Sequence, residues 1–256
     1  MATRKKWSEF DRLVILGLYC ELPFGKFHQH HPRIIEVAQK LERSPSSVAM
    51  KLSNFASLDP VITSSGRKGL AGASRADREV WQDFSQQPSK IMPEIAMALE
   101  SLDLNQATAD DQEHIDLHSY LGETTASIIQ RRKSQNLFRK AVLSAYHYQC
   151  CITGIADPRF LVASHIKPWA KDEHNRLNPR NGLCLSTFYD RAFDIGLITF
   201  ADDYRLMVSS ELEQQQSNSH IRETFLKRTG TTIELPDKFS PSPEFIRWHR
   251  ECLFIQ

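Results

Sequence analysis

The segment from Cys150 to Phe200 constrains the fold of this chain more than any other part of the sequence. The apolar run Phe160–Ala163 predicts a short strand that ends at Ser164-His165-Ile166. A proline-interrupted loop follows and reaches Asn178-Pro179-Arg180-Asn181-Gly182. The stretch Leu183–Asp194 then predicts a second strand that passes into a helix. The segment therefore predicts a strand-loop-strand-helix unit with a histidine at the end of its first strand.

This order of residues resembles the ββα-metal core of HNH nucleases. The sequence over about residues 131–200 is similar to the branch of this family found among bacterial restriction and defence nucleases. The motifs that carry the similarity are C-I-T-G, A-S-H-I-K-P-W, N-P-R-N-G-L and D-R-A-F-D-I-G. The resemblance implies a general base on the first strand, an asparagine that holds the loop and helps to orient that base, and a metal ligand on the helix. Those roles fall on His165, Asn181 and Asp190, which follows Asn181 by nine residues.

The resemblance also implies one divalent metal ion. Many members have histidine at the third signature position, and the carboxylate of Asp190 suits Mg²⁺ or Mn²⁺ better than imidazole does. Asp194 lies one helical turn later and is predicted to be a second ligand or an outer partner. Ser164 stands where many members have an acid or a second histidine, and it is a weak candidate ligand. The cysteines lack paired CxxC spacing, so no structural zinc is expected.

Each of these residues has a structural alternative. His165 would also fit a buried histidine with a satisfied hydrogen bond, and Asp190 would fit an ion pair with Arg191 or Lys171. The pair Asn181-Gly182 is a common turn sequence. The ordered set of three residues favours the nuclease interpretation over these alternatives.

The N-terminal part predicts short helices. Helical spacing of apolar residues runs from Trp7 to Leu22, Pro32 opens a second helix, and Ser44-Pro45 begins a third that reaches about Phe55. The second and third helices, joined by a tight turn, resemble a helix-turn-helix only loosely. The alternative is a small helical bundle with a solvated polar face.

In the helix-turn-helix interpretation, the third helix presents Lys51 and Asn54 to DNA, away from its apolar stripe. Residues 63–72 predict a flexible basic loop before a helix over Ser74–Phe84, and residues 94–123 are rich in acids. Five cations fall within residues 131–140, and a helix over residues 134–147 follows from the apolar spacing. The arginines predicted to contact phosphate are Arg139, Arg180 and Arg191.

The composition adds limits on partners and location. Lys and Arg total 32 against 31 for Asp and Glu, so net charge alone does not indicate a nucleic-acid partner. The five cysteines are scattered, which favours reduced thiols. No apolar stretch approaches the roughly 20 residues that span a bilayer, and the start lacks a signal-peptide core, so we expect a cytoplasmic protein without a membrane partner.

Together these patterns predict an α+β protein with a mainly helical domain over residues 1–90, an acidic connection over 91–130 and a ββα-metal nuclease domain over 131–256. The predicted activity is metal-dependent hydrolysis of double-stranded DNA to 5′-phosphate and 3′-hydroxyl ends, in restriction or phage defence. A noncatalytic DNA-binding regulator and a nicking or RNA-cleaving enzyme are the alternatives. One active site per chain favours a homodimer for cutting both strands, and removal of residues 1–125 is expected to leave a nuclease of poorer affinity.

Overall fold

The N-terminal part of the chain is helical in the structure, a computed structural model that describes residues 5–67, 69–104 and 125–256. Serine side chains begin several of these helices, as the sequence predicts. Ser44 accepts a hydrogen bond from the Ser47 amide at 3.2 Å, with Pro45 in the first helical position. The helices are α1 (Glu9–Glu21), α2 (Pro32–Lys40), α3 (Pro45–Ala56), α4 (Pro60–Ser64), α5 (Arg75–Gln86) and α6 (Pro88–Ser101).

Helix α7 (Thr125–Ala145) is the element on which the N-terminal and C-terminal parts meet. It begins before the predicted residue 134, and it packs against α1, α6 and both strands of the first hairpin. The buried side chains of α7 include Phe138 and Val142, which the sequence places on one apolar face. The contacts of α7 cross the predicted domain boundaries, and the division into three parts remains a prediction.

The C-terminal part holds the predicted strand-loop-strand-helix unit. Strands β1 (Leu161–His165) and β2 (Gly182–Ser186) pair antiparallel with His165 opposite Gly182, and α8 (Thr187–Asp194) follows directly. A second hairpin and further short helices complete the fold: β3 (Ile198–Phe200), β4 (Leu206–Val208), α9 (Ser210–Glu213), α10 (Ser219–Thr224) and α11 (Pro243–Cys252), with 3₁₀ helices at Pro158–Phe160, Pro179–Asn181 and Leu226–Arg228. The α+β class is confirmed.

The position of Lys51 differs from the prediction. Lys51 is 6% exposed, and its ammonium forms an ion pair with Asp77 at 2.8 Å. Asp77 also accepts a hydrogen bond from Arg12 at 2.9 Å, so it anchors α5 to both α1 and α3. The expectation that Lys51 lies on an accessible face of α3 was wrong, because its stem reaches into a buried polar cluster that spacing on one helix does not reveal.

The predicted basic loop packs against α3 instead of standing free. The Leu70 amide donates to the Ser53 carbonyl at 3.2 Å, and a side chain at Gly69 would collide with the backbone of Ser57. Asn54 is half-buried and lies beside Gly72 of the same loop. The loop therefore covers part of the polar side of α3. Lys68 of this loop lies outside the described residues, and so does the part of the predicted acidic stretch over residues 105–123.

A buried lysine joins the C-terminal segment to the first helix. The ammonium of Lys238 is fully buried and donates to the carbonyls of Cys20 at 3.2 Å and Leu22 at 2.7 Å, and to that of Tyr19. These carbonyls lie at the end of α1, where helical partners are missing. Burial lowers the pKa of Lys238 to about 8.

No helix within the described ranges is long and apolar enough to cross a membrane.

Candidate active site

His165 lies at the end of β1, where the hairpin meets α7. Its ring stacks on Phe138 of α7 with the ring centroids 4.4 Å apart and the planes 8° from parallel. Trp169 from the following loop meets the same ring edge-on, with the centroids 5.7 Å apart. A Cβ atom at Gly182, opposite His165, would lie 2.4 Å from Val142, so the close approach of α7 requires glycine there. Two aromatic side chains therefore fix the plane of the imidazole.

The hydrogen bonding of His165 fixes its tautomer. Nε2 lies 2.8 Å from the carbonyl oxygen of Arg176, and since a carbonyl can only accept, Nε2 holds the proton. Nδ1 is then an unprotonated acceptor, and it has no hydrogen-bond partner among the described residues. Burial lowers the pKa of His165 to about 4 against the opposing effect of the carbonyl. The imidazole is therefore neutral at pH 7, with one nitrogen open to accept a proton.

Asn181 is fully buried and ties together the two ends of the loop between β1 and β2. Its side-chain oxygen accepts from the Lys167 amide at 2.8 Å, and its amide nitrogen donates to the carbonyls of Lys167 at 3.0 Å and Asn175 at 3.3 Å. The side chain has no hydrogen bond to His165 in the described structure. The group that orients the imidazole is the Arg176 carbonyl, and the loop that Asn181 holds contains it.

Asp190 and Asp194 lie one turn apart on α8, which packs against both strands of the hairpin. Asp190 is half-buried, Asp194 is exposed, and both have polar or electrostatic partners in the structure. Ser164 precedes His165 on β1, so the two side chains point to opposite faces of the hairpin. Ser164 is 2% exposed, and its hydroxyl oxygen has no hydrogen-bond partner within the described residues. Their roles as metal ligands remain predictions.

The donor set suits some metals better than others. Within the described ranges there is no group of three or more His, Cys, Asp or Glu side chains that could hold a metal ion. A zinc site needs three or four such ligands, whereas Mg²⁺ is commonly held by one or two carboxylates with water and substrate phosphate. Asp190 and Asp194, one turn apart on α8, offer the carboxylates of the second kind of site, whereas the buried Ser164 hydroxyl faces away from His165. Burial raises the pKa of Cys184 to about 12, so that thiol stays protonated.

The three arginines predicted to contact phosphate occupy different surroundings. Arg139 on α7 is half-buried and donates to the Leu161 carbonyl at 2.9 Å, so part of its guanidinium is used in holding β1. Arg180 is exposed and donates to the Ser240 carbonyl at 3.3 Å. Arg191 is exposed on α8, next to Asp190.

Two neighbours of His165 in the structure are residues that the sequence pattern did not single out. Trp169 and Arg176 both lie in the loop after β1, and the Arg176 guanidinium sits 4.9 Å from the centroid of the Trp169 ring. A tryptophan and an arginine in a polar, proline-containing loop were a signal for a binding surface. Their distance from the histidine depends on the path of the loop, which the sequence pattern did not give.

Comparison with known families agrees with this geometry. A family model described as HNH endonuclease matches residues 150–201, about a fifth of the chain. The match covers β1, the loop held by Asn181, β2 and α8. This segment is an HNH endonuclease domain, and the remaining residues lie outside the match. No curated protein matches the chain.

Proposed function

We propose that this protein is a metal-dependent endonuclease that hydrolyses phosphodiester bonds of double-stranded DNA, leaving 5′-phosphate and 3′-hydroxyl ends. The HNH domain indicates nuclease activity in general. The observation that favours hydrolysis by this chain is the state of His165, whose Nδ1 is an unprotonated acceptor with no hydrogen-bond partner in the described ranges. A histidine with a purely structural role engages both ring nitrogens, as His249 does with Thr199 and the Phe193 carbonyl.

In the proposed reaction, Nδ1 of His165 accepts a proton as a water molecule attacks phosphorus, the bond from phosphorus to the 3′ oxygen breaks, and the departing 3′ oxygen takes up a proton from solvent water. The Arg176 carbonyl accepts the hydrogen bond from Nε2–H and stabilises the imidazolium that forms. Phe138 keeps the ring in the plane that this transfer needs. Asp190 and Asp194 would hold a divalent ion, Mg²⁺ or Mn²⁺ in this proposal. When bound, that ion would neutralise negative charge on the phosphate.

The biological setting we propose is restriction or phage defence in the cytoplasm. The similarity of the motifs in residues 131–200 to those of restriction and defence nucleases supports this setting. Arg139, Arg180 and Arg191 are proposed to contact DNA phosphates, and Asn54 remains a proposed contact on α3. Cutting both strands with one site per chain favours a homodimer.

The experiment that tests this function compares substrates directly. Purified protein is incubated with supercoiled plasmid, linear duplex and RNA in Mg²⁺, in Mn²⁺ and in chelator, and the ends of any product are determined. We expect metal-dependent loss of linear duplex with 5′-phosphate ends. Nicked circles without linear product would indicate a nicking enzyme, RNA cleavage would change the substrate, and DNA binding without cleavage in any metal would favour a regulator.

The metal ligand is tested in the same assay. Asp190→Asn removes the charge of the proposed ligand and keeps its shape, so the metal concentration for half-maximal cleavage should rise about tenfold or more. Asp203→Asn, at an exposed carboxylate in the turn after β3, is the matched control. Equal metal titration curves for both variants would remove Asp190 from the metal site.

A further inference from the structure

We propose that Arg176 binds a phosphate group of the DNA strand beside His165. This inference rests on the proposed function and adds to it a residue that sequence patterns did not single out. The proposal rests on the arrangement of Arg176, Trp169 and His165. The main-chain carbonyl of Arg176 orients His165, and the guanidinium of the same arginine lies over Trp169.

Arg176 contacts His165 through its main-chain carbonyl, and the indole of Trp169 contacts both the Arg176 guanidinium and the His165 ring. The Arg176 carbonyl accepts from His165 at 2.8 Å, which fixes the main chain of this loop against the end of β1. The guanidinium then folds over Trp169, 4.9 Å from the ring centroid, and Trp169 meets His165 edge-on. Stacking on an indole restricts the plane of a guanidinium and lowers the entropy lost when it binds a ligand.

The charge of Arg176 is poorly neutralised within the protein. Among the described residues its ion pair is with Glu173 at 4.0 Å, and the Glu173 side chain is 86% exposed, so that contact is weak. Nε of Arg176 is buried without a hydrogen-bond partner among the described residues. Buried donors without partners are uncommon and unfavourable in folded proteins. The side chain as a whole is 29% exposed, so the cation remains accessible to a ligand from solvent.

Three other cations, Lys167, Arg139 and Arg180, form shorter contacts with acceptor groups of the protein than Arg176 does. Lys167 pairs with Asp172 at 3.1 Å, Arg139 donates to the Leu161 carbonyl, and Arg180 donates to the Ser240 carbonyl. Within the part of the chain that the structure describes, the Arg176 guanidinium is therefore held over Trp169 without a hydrogen bond, on the loop that contacts the proposed base. A phosphate with its several acceptor oxygens is the ligand that such a group prefers.

The test measures DNA binding and cleavage separately. Arg176→Gln is made in the full chain with His165 intact, and affinity for a duplex is measured at several salt concentrations in chelator, which prevents metal-dependent cleavage. Lys171→Gln, which removes one exposed charge from the same loop, is the matched control. Arg176→Met, which keeps an apolar stem over Trp169, is measured beside it and replaces the glutamine variant where that variant fails to fold.

We expect the Arg176 variants to weaken duplex binding about tenfold relative to the Lys171 control, with a salt slope lower by about one released ion. In the cleavage-competent chain, KM should rise more than kcat falls. Binding and salt slope equal to those of the control would overturn the proposal. Lower melting temperature and kcat with unchanged binding would also overturn it, because that result indicates a structural role. His165→Ala that cleaves normally would instead contradict the proposed function.

Discussion

At the scale of single residues, His249 and His165 of the C-terminal part show how the same side chain serves different purposes. His249 stacks on Phe193 with the centroids 3.7 Å apart, donates from Nε2 to the Phe193 carbonyl and accepts from Thr199 at Nδ1. His165 has the same stacking and the same carbonyl contact at Nε2, but its Nδ1 has no partner among the described residues. This difference in one nitrogen separates a structural histidine from the candidate base.

The buried histidines predict a pH dependence of stability. Burial lowers the pKa of His249 to about 4, whereas the unfolded chain has its ordinary value near 6.5. The unfolded chain therefore binds the proton first, and the free energy of unfolding should fall as pH drops from about 6.5 toward 4. The loss is at most roughly 1.4 kcal/mol per pH unit for this group.

Urea unfolding of wild-type protein and His249→Gln between pH 7 and pH 4.5 measures this contribution. The variant should be less stable at pH 7 and should lose less stability on acidification, while the contribution of His165 remains in both proteins. Parallel curves for the two proteins would show that His249 is not protonated on unfolding in this range.

At the scale of elements, the contact between α7 and the first hairpin supports the site. A side chain at Gly182 would collide with Val142 and approach Phe138, on which His165 stacks. We predict that Gly182→Ala lowers the free energy of unfolding by about 1–3 kcal/mol through overpacking. In a chain that already carries Val142→Ala, the Gly182→Ala substitution should cost less stability. A double-mutant cycle by chemical denaturation should therefore give a double mutant that is more stable than the sum of the two single effects predicts. Strictly additive effects would refute the predicted contact.

Helix α3 supplies a second prediction at this scale. Because Lys51 pairs with Asp77 in a buried cluster, Lys51→Met should destabilise the protein by a few kcal/mol. Lys26→Met, at an exposed position, is the control and should change stability little. Denaturation curves measure both variants. A Lys51 variant of normal stability with a reduced salt slope for DNA binding would restore the groove-binding interpretation of this residue.

The elements also show what local sequence can predict. The starts of α3 and α5 follow from Ser44 and Ser74, because an N-cap contacts an amide only a few residues away. The hairpin with His165 and Asn181 follows from residues within one segment. The burial of Lys51 depends on Asp77 of another helix, and the partner of Arg176 depends on the path of a loop. Contacts between separate elements were the part that spacing along the chain could not give.

At the scale of the whole molecule, the N-terminal helices pack against α7, on which the matched HNH segment also packs. Ser144 of α7 donates to the Cys20 carbonyl at 2.5 Å, and Lys238 donates to the carbonyls at the end of α1. Helices α1 and α6 both cover α7. The expectation that removing residues 1–125 leaves a working nuclease therefore changes.

We now predict that a fragment of residues 125–256 lacks a cooperative thermal transition and aggregates, since an apolar side of α7 and the end of α1 lose their partners. Calorimetry and size-exclusion chromatography of the fragment beside the full chain measure this. A monomeric fragment with a sharp transition and cleavage at high enzyme concentration would show that residues 131–256 form an independent domain, as the sequence predicts.

The central claim is that His165 accepts the proton from the attacking water. Its most direct test is the single-turnover cleavage rate of a duplex by His165→Ala at saturating enzyme, with His174→Ala as control because His174 is exposed in the same loop. We expect a rate lower by about 10²–10⁴-fold for His165→Ala, with DNA affinity and melting temperature near those of the wild type, and a normal rate for the control. Cleavage by folded His165→Ala at the wild-type rate would contradict it.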